Sequence, residues 1–222
     1  MSEGVKRRYD ASGRQEQARR TQRAVITAAA ELWLERGYGG ATIADVARHA
    51  GVSPETVYGA FGSKGGLLHR VWDITIGGDD EEVVFHERPE VMAMRAEPDL
   101  RKRLALHARF HTKTAARIVP FMLMVQAASG HEPTAKEMLA EIGRQRFEGM
   151  GVMAREAEAT GQLGVSEQEC REVMWTTTDG QLWHLLVQQR GWDDERFADW
   201  LARLWVSALK VRPPASRRSP AV

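Results

Sequence analysis

The stretch TIADVARHAGVSPETVYGAFGSKGGLL, Thr42 to Leu68, decides the fold. Thr42 is a capping residue type, and Ile43, Val46, Ala47 and Ala50 follow at helical spacing. They make one apolar face of a helix two turns long, stopped by Gly51. Ser53 caps the next helix at once. Pro54 takes its first position, where the missing N–H costs nothing. Two short helices joined by Gly51-Val52-Ser53 are the sequence form of a helix-turn-helix. Val57 and Phe61 form the inward stripe of the second helix. With Val57 inward and roughly 100° per residue, Phe61 falls beside it at about 40°. Glu55 and Gly59 then point outward, at roughly 160° and 200°, flanked by Thr56 and Tyr58. An exposed tyrosine beside a glycine suits a surface lying in a DNA groove. The hydroxyl reaches phosphate and the glycine permits close approach.

The pattern outward from this stretch is helical nearly everywhere. A first helix is expected from about Arg14 to Arg36, with Val25, Ala29, Leu32 and Trp33 on one face. Ser63 caps a fourth helix through Leu67, Leu68, Val71 and Trp72. Residues 77–98 read as a connection, with an acidic run at Asp79–Glu82 and prolines at 89 and 98. A helix from Asp99 to about Arg117 follows, then a separate apolar segment, Ile118–Ala128, that contains Pro120. A helix from Thr134 reaches about Thr160. Ser166 and Glu169 have capping-box spacing for a helix running through Gln189. Asp193 or Asp194 caps the last helix, whose apolar positions include Phe197, Trp200, Leu201, Leu204 and Trp205. The division expected is a flexible basic arm over 1–13, a DNA-binding domain over 14–62, a second domain over 63–211 and a disordered tail over 212–222.

Thr42–Leu68 resembles the DNA-binding region of the tetracycline-repressor (TetR) family. The matching residues are Thr42, Ala47, Gly51, Val52, Ser53, Tyr58, Phe61, Lys64 and Leu67, and the match extends over about 60 residues, from helix one to helix four. The rest also looks like the family's ligand-and-dimer domain, with a Gly161-Gln162-Leu163-Gly164 turn before the penultimate helix. The resemblance implies an all-α chain of about nine helices: a three-helix DNA-binding domain, then an α-helical ligand-binding and dimerisation bundle. It implies phosphate contacts from Thr42, Tyr58 and Lys64, the last at a helix N-terminus that favours an anion. Ser53, Pro54, Glu55 and Thr56 would face base edges. Gly59 offers no side chain for readout, and Glu55 would either accept from cytosine N4 or repel wrong registers. Arg14, Arg19 and Arg20 would reach phosphate or an adjacent minor groove, or else form a solvated helix face. Where members of the family have an acidic residue after the lysine, this chain has Gly65-Gly66.

The 222 residues carry a net charge of +1, which names no partner. The asymmetry is more informative. Residues 1–75 hold 11 basic and 8 acidic side chains, and the first 23 residues hold 7 and 3. A basic end on a neutral body suits phosphate. Cys170 is the only cysteine, which excludes an intrachain disulfide or a cysteine-based zinc cluster. The apolar run around Pro120 is far short of the roughly 18 residues of a membrane span, and no signal peptide is recognisable, so a soluble cytoplasmic protein is expected. The 25 arginines against 6 lysines fit codon bias, because arginine is abundant in the acidic body too.

His107 and His111 stand at i and i+4, a spacing that can hold a metal, but no third ligand is evident and no cofactor is expected. Gly149-Met-Gly-Val-Met-Ala154 matches a dinucleotide fingerprint without the strand that fingerprint needs. No catalytic motif is present. An effector pocket is expected among His107, Phe110, His111, Phe121, Met122, Met124, Val125, Met150, Met153, Trp175, Thr178 and Asp179. A dimer interface is expected at Trp183, Leu186, Phe197, Trp200, Leu201, Leu204 and Trp205, since a terminal helix with so broad an apolar face must bury it somewhere. The function expected is a homodimeric regulator, a repressor released from a palindromic double-stranded DNA operator by an apolar or amphipathic small molecule. Two rivals are an effector-independent activating or architectural DNA binder, and an α-helical metal-dependent enzyme or carrier using His107 and His111.

Overall fold

A computed structural model describes residues 11–78 and 89–214. The described residues form helices and no strands. The chain divides into two compact units, one ending at Asp73 and the other starting at Ile74.

The first unit contains α1 (Ala11–Arg36), α2 (Ile43–Ala50), α3 (Pro54–Phe61) and most of α4 (Lys64–Gly77). Its core is the stripe read from the sequence. Val25, Ala29, Leu32 and Trp33 of α1 are buried with Ile43, Val46 and Ala47 of α2, Val57 of α3, and Leu67, Leu68, Val71 and Trp72 of α4. Burial of such side chains is worth about 1.5–3 kcal/mol each, which is what holds helices of only two turns in place. Helix α1 begins before Arg14, at Ala11, inside the segment expected to be a flexible arm. Residues 1–10 of that arm lie outside the described residues.

The second unit comprises the end of α4, α5 (Pro89–Ala96), α6 (Leu100–Ala128), α7 (Pro133–Glu158), α8 (Glu167–Thr177), α9 (Gln181–Trp183), which continues as a π-helix over His184–Gln189, and α10 (Asp194–Ala208). Helix α6 packs on α7 and α10, and α7 packs on α8. Three expectations are corrected here. The 77–98 connection contains a helix, α5, which buries Val91 and Met94. The segments on either side of Arg117 are one helix, with Pro120 inside it. A mid-helix proline costs about 3 kcal/mol or more. Burial of Val119, Phe121 and Val125 around it opposes that cost. The helix expected to run from Ser166 through Gln189 is broken between Thr177 and Gln181. Gly180 adopts φ +93° there, and a Cβ on it would sit 2.9 Å from a Val119 methyl. The break lets α9 start against α6.

One buried residue joins three distant pieces of this unit. Gln162, in the turn after α7, accepts from the Leu100 N–H at 3.1 Å and donates to the Pro98 carbonyl at 2.8 Å. Its own carbonyl accepts from the Arg212 N–H at 2.8 Å. Arg212, expected to begin a disordered tail, is therefore tied down, whereas residues 215–222 lie outside the described residues. Nearby, a Cβ on Gly164 would meet the Lys210 carbonyl oxygen at 2.2 Å. His107 and His111 are largely buried on α6. Burial pushes both imidazoles down to about 4, helped by the positive charges of Arg103 and Arg146 respectively.

Gln162→Leu leaves the Leu100 N–H and the Pro98 carbonyl without their partner, and it is expected to destabilise the second unit by about 1–3 kcal/mol in urea unfolding. The histidines predict a pH dependence. Their folded values lie below the ordinary 6.5, so the unfolded chain binds protons more readily. The stability they allow is complete above about 6.5 and is lost as pH falls towards 4. Unfolding should therefore show a loss on the order of 2–3 kcal/mol per histidine across that window, and a His107→Gln/His111→Gln variant should lose correspondingly less.

Candidate nucleic-acid interface

The interface is built from caps. Thr42 precedes α2 in an extended conformation. Its hydroxyl oxygen accepts from the Asp45 N–H at 3.1 Å, and the Asp45 carboxylate accepts from the Thr42 N–H at 3.0 Å. This capping box satisfies two of the donors that a helix start leaves open. Hydrogen bonds from the Thr42 hydroxyl and from its backbone N–H hold the Asp45 carboxyl below its ordinary range, with Arg48 adding to the effect. At the other end, Gly51 is left-handed at φ +70° and its N–H returns to the carbonyls of Ala47 and Arg48. A side chain at that φ would be strained. Two residues on, Ser53 accepts from the Thr56 N–H at 3.3 Å and α3 starts with Pro54.

These constraints fix which way α3 faces. Val57 is buried and Phe61 half-buried, whereas Glu55, Thr56, Tyr58 and Gly59 are exposed, Tyr58 at 51%. Nothing lies within 4 Å of a Cβ placed on Gly59. The glycine therefore is not demanded by packing inside the chain. The Glu55 carboxyl is held below its ordinary range by its own backbone N–H and by the Ser53 hydroxyl. It is an anion at neutral pH on a face that is otherwise uncharged.

Other expected DNA contacts have tasks within the chain. The Thr42 hydroxyl donates to Asp45 at 2.6 Å, so a phosphate contact by that hydrogen requires redirecting it. The Lys64 ammonium donates to the Tyr38 carbonyl at 2.6 Å and lies 4.3 Å from the centre of the Tyr38 ring. It ties the start of α4 to the loop after α1. Arg14, Arg19 and Arg20 are exposed on α1, and Arg20 pairs with Glu16 at 3.3 Å.

In the second unit, Phe121, Met124 and Val125 are buried, and Phe110, Met122, Met150, Met153 and Thr178 are half-buried. Trp175 is 37% exposed, and Asp179 is exposed. Some of the residues expected to line an effector site come together. The Arg146 guanidinium donates to the Trp175 carbonyl at 2.7 Å and to the Thr178 hydroxyl at 3.4 Å. Phe147 packs edge-on against Trp175, with ring centres 5.7 Å apart. Arg146 was not anticipated, although its place one turn before Met150 on an amphipathic helix is a signal the sequence contains. An open groove of about 360 Å³ lies instead along Arg101, Ala202, Arg203, Val206, Ser207, Lys210 and Val211. None of the expected effector residues lines it.

The dimer expectation needs correcting at four positions. Trp183, Phe197, Leu201 and Trp205 are buried in the core of their own chain, with Leu100, Leu104 and Met174. Trp205 also donates its indole N–H to the Thr177 hydroxyl at 2.7 Å. The broad apolar face of α10 is therefore used largely inside the bundle. Leu186, Trp200 and Leu204 only border that core and stay half-exposed. Among the described residues no three His, Cys, Asp or Glu side chains cluster so as to hold a metal. No described helix is long and apolar enough to cross a membrane.

Residues 25–71 match the family described as bacterial regulatory proteins, tetR family. The HTH-type transcriptional repressor BdcR of Escherichia coli (strain K12) is 38% identical over 52 residues. That similarity covers 23% of this chain and only about a quarter, 26%, of BdcR. Solved structures resemble the fold more widely. The transcriptional regulator FadR of Bacillus subtilis, in complex with stearoyl-CoA, superposes with a TM-score of 0.66 at 20% identity, covering 84% of this chain and 98% of FadR. NalD of Pseudomonas aeruginosa, the secondary repressor of the MexAB-OprM multidrug efflux pump, gives 0.63 at 18%, covering 88% and 98%. Residues 25–71, which hold the capped helix-turn-helix, are similar to the tetR family of bacterial regulatory proteins, and the helical fold is like that of these solved structures.

Proposed function

We propose that this protein is a dimeric, ligand-responsive repressor that binds a palindromic operator in double-stranded DNA. Residues 14–62 read the DNA, and residues 63–211 sense the effector and dimerise. One observation carries the reading. The cap-and-glycine turn presents Glu55, Thr56, Tyr58 and Gly59 of α3 on one exposed face, and Gly59 has no packing role there. Thr56 and Glu55 are placed to meet base edges, and the Tyr58 hydroxyl to meet phosphate. Arg14, Arg19 and Arg20 supply positive charge along α1. Half-exposed Leu186, Trp200 and Leu204 suit a second copy, which would hold two recognition helices about 34 Å apart, one turn of the duplex.

The effector reading draws on the relatives. FadR was solved with stearoyl-CoA and NalD represses an efflux pump. By analogy, this chain takes an apolar or amphipathic molecule that favours a state with lower operator affinity. Release needs a coupling of about 1–3 kcal/mol between the two sites. The rival reading, a DNA binder without an effector, predicts no ligand-dependent release.

Fluorescence anisotropy tests the reading, using the duplex that flanks the protein's own gene against a scrambled duplex across a salt series. Two chains, or a multiple of two, should bind each site. The log–log salt slope should approach −0.9 per phosphate neutralised. Binding no stronger than to the scrambled duplex contradicts the proposal. Tyr58→Phe is expected to weaken binding about 3- to 10-fold on both duplexes, as loss of one phosphate hydrogen bond should. Thr56→Ala should change which base is preferred. Gly59→Ala separates folding from recognition. It should stabilise the isolated protein by about 0.5–1 kcal/mol, since it removes a helical glycine into open space, while lowering DNA affinity at least about tenfold if the groove lies against this backbone.

A further inference from the structure

His111 and Arg146 are an unresolved pair in the second unit, where the indole nitrogen of Trp183 is also buried without a hydrogen-bond partner. The His111 Nε2 is buried and has no hydrogen-bond partner. Its ring is neutral at neutral pH, because burial and the charge of Arg146 both oppose protonation. An unpartnered buried nitrogen costs about 1–3 kcal/mol, so the ring favours a polar partner at this position. Arg146 lies on α7, which packs against α6, and its charge acts on the His111 ring. Its guanidinium is desolvated enough to lower its own basicity. Its partners are the Trp175 carbonyl and the Thr178 hydroxyl, both neutral. Asp179 is near enough for its charge to act on Arg146, but it lies beyond ion-pair distance and caps Gln181, accepting from the N–H at 2.9 Å. A half-buried cation without a contacting anion is costly, and a guanidinium is shaped to receive a carboxylate through two parallel bonds.

The surroundings add an apolar wall and a second cation. Phe147 and Trp175 pack edge to face. The Arg171 guanidinium lies 3.6 Å from the centre of the Phe147 ring and donates to the Phe147 carbonyl at 2.9 Å. Met150 comes within 4.0 Å of the Thr178 hydroxyl. We propose that Arg146, with His111 and Thr178, forms the head-group site for an amphipathic organic acid, whose carboxylate it takes while the apolar body lies along Trp175, Phe147 and Met150. The proposal rests on the reading of the second unit as effector-binding, and it narrows that effector from any amphipathic molecule to an anionic one. The carboxylate takes up the free donors of Arg146, and the neutral His111 donates its Nε2–H to the same group.

The test uses the full chain and two probes of equal length, decanoate and decanol, followed by tryptophan fluorescence and by the shift in Tm. Wild type is expected to bind decanoate at least about tenfold more tightly than decanol. Arg146→Gln should bring that ratio to about one while leaving the Tm of the ligand-free protein nearly unchanged. Arg146→Lys keeps the charge and loses the fork, so it should retain a reduced preference. Arg146→Lys also serves if the glutamine variant fails to fold, because an unaltered preference in it contradicts the fork geometry. No saturable decanoate binding, or the same preference in wild type and Arg146→Gln, overturns the site. Displacement of the bound duplex by decanoate is a separate readout. Binding without displacement contradicts effector control and leaves the site standing. Displacement that persists in Arg146→Gln contradicts the site and leaves effector control standing.

Discussion

The left-handed turn at Gly51 is the constraint on which the helix-turn-helix unit depends. With φ at +70°, the chain ends α2 and closes its last carbonyls within one residue. Ser53 can then open α3 immediately. A longer or differently shaped linker would rotate α3 about its own axis, and each residue of slippage turns its faces by about 100°. Val57 would leave the core and the outward set would change. The short helices have little stability of their own. Their geometry is set by the caps at Thr42 and Ser53 and by the apolar residues that α1 and α4 press against them.

The second unit is organised differently. Its long helices are held by extensive side-chain burial, and its local irregularities are imposed by packing. Pro120 sits inside α6, Gly180 gives way to Val119, and the last turns of the α8–α9 region widen into a π-helix. Irregular helices of this kind often accompany binding sites, where strict backbone pairing is relaxed. The polar groups show the same division. Gln162 is satisfied at both ends of its amide, as a structural residue should be. The His111 nitrogen is not.

The sequence disclosed the first unit well because its signals are local. A cap, a glycine, a second cap and a helical wheel over eight residues place Val57 inward and Tyr58 outward. The second unit was legible in fold class but less so in detail. The helix break at Gly180 depends on a contact with Val119, some 60 residues away, which spacing cannot reveal. The division between Arg117 and Ile118 has no counterpart in the fold, because the burial that carries α6 through Pro120 comes from residues distant in sequence. The aromatic face of α10 was assigned to a partner subunit, yet Phe197, Leu201 and Trp205 fill this chain's own core. Periodicity shows that a face is apolar, not what covers it. Arg146 is hard to single out for a similar reason: its place beside Met150 is visible in the sequence, but its desolvation is not.

The most direct test of the central claim is a dimethyl sulfate footprint of the protein on the duplex flanking its own gene, since the reagent reports guanine N7 in the major groove. The account predicts two protected patches related by a dyad and centred about one helical turn, or 34 Å, apart. It predicts that protection fades in Gly59→Ala. Uniform reactivity along the duplex, or protection that is indifferent to changes on α3, would contradict the claim that this helix reads DNA.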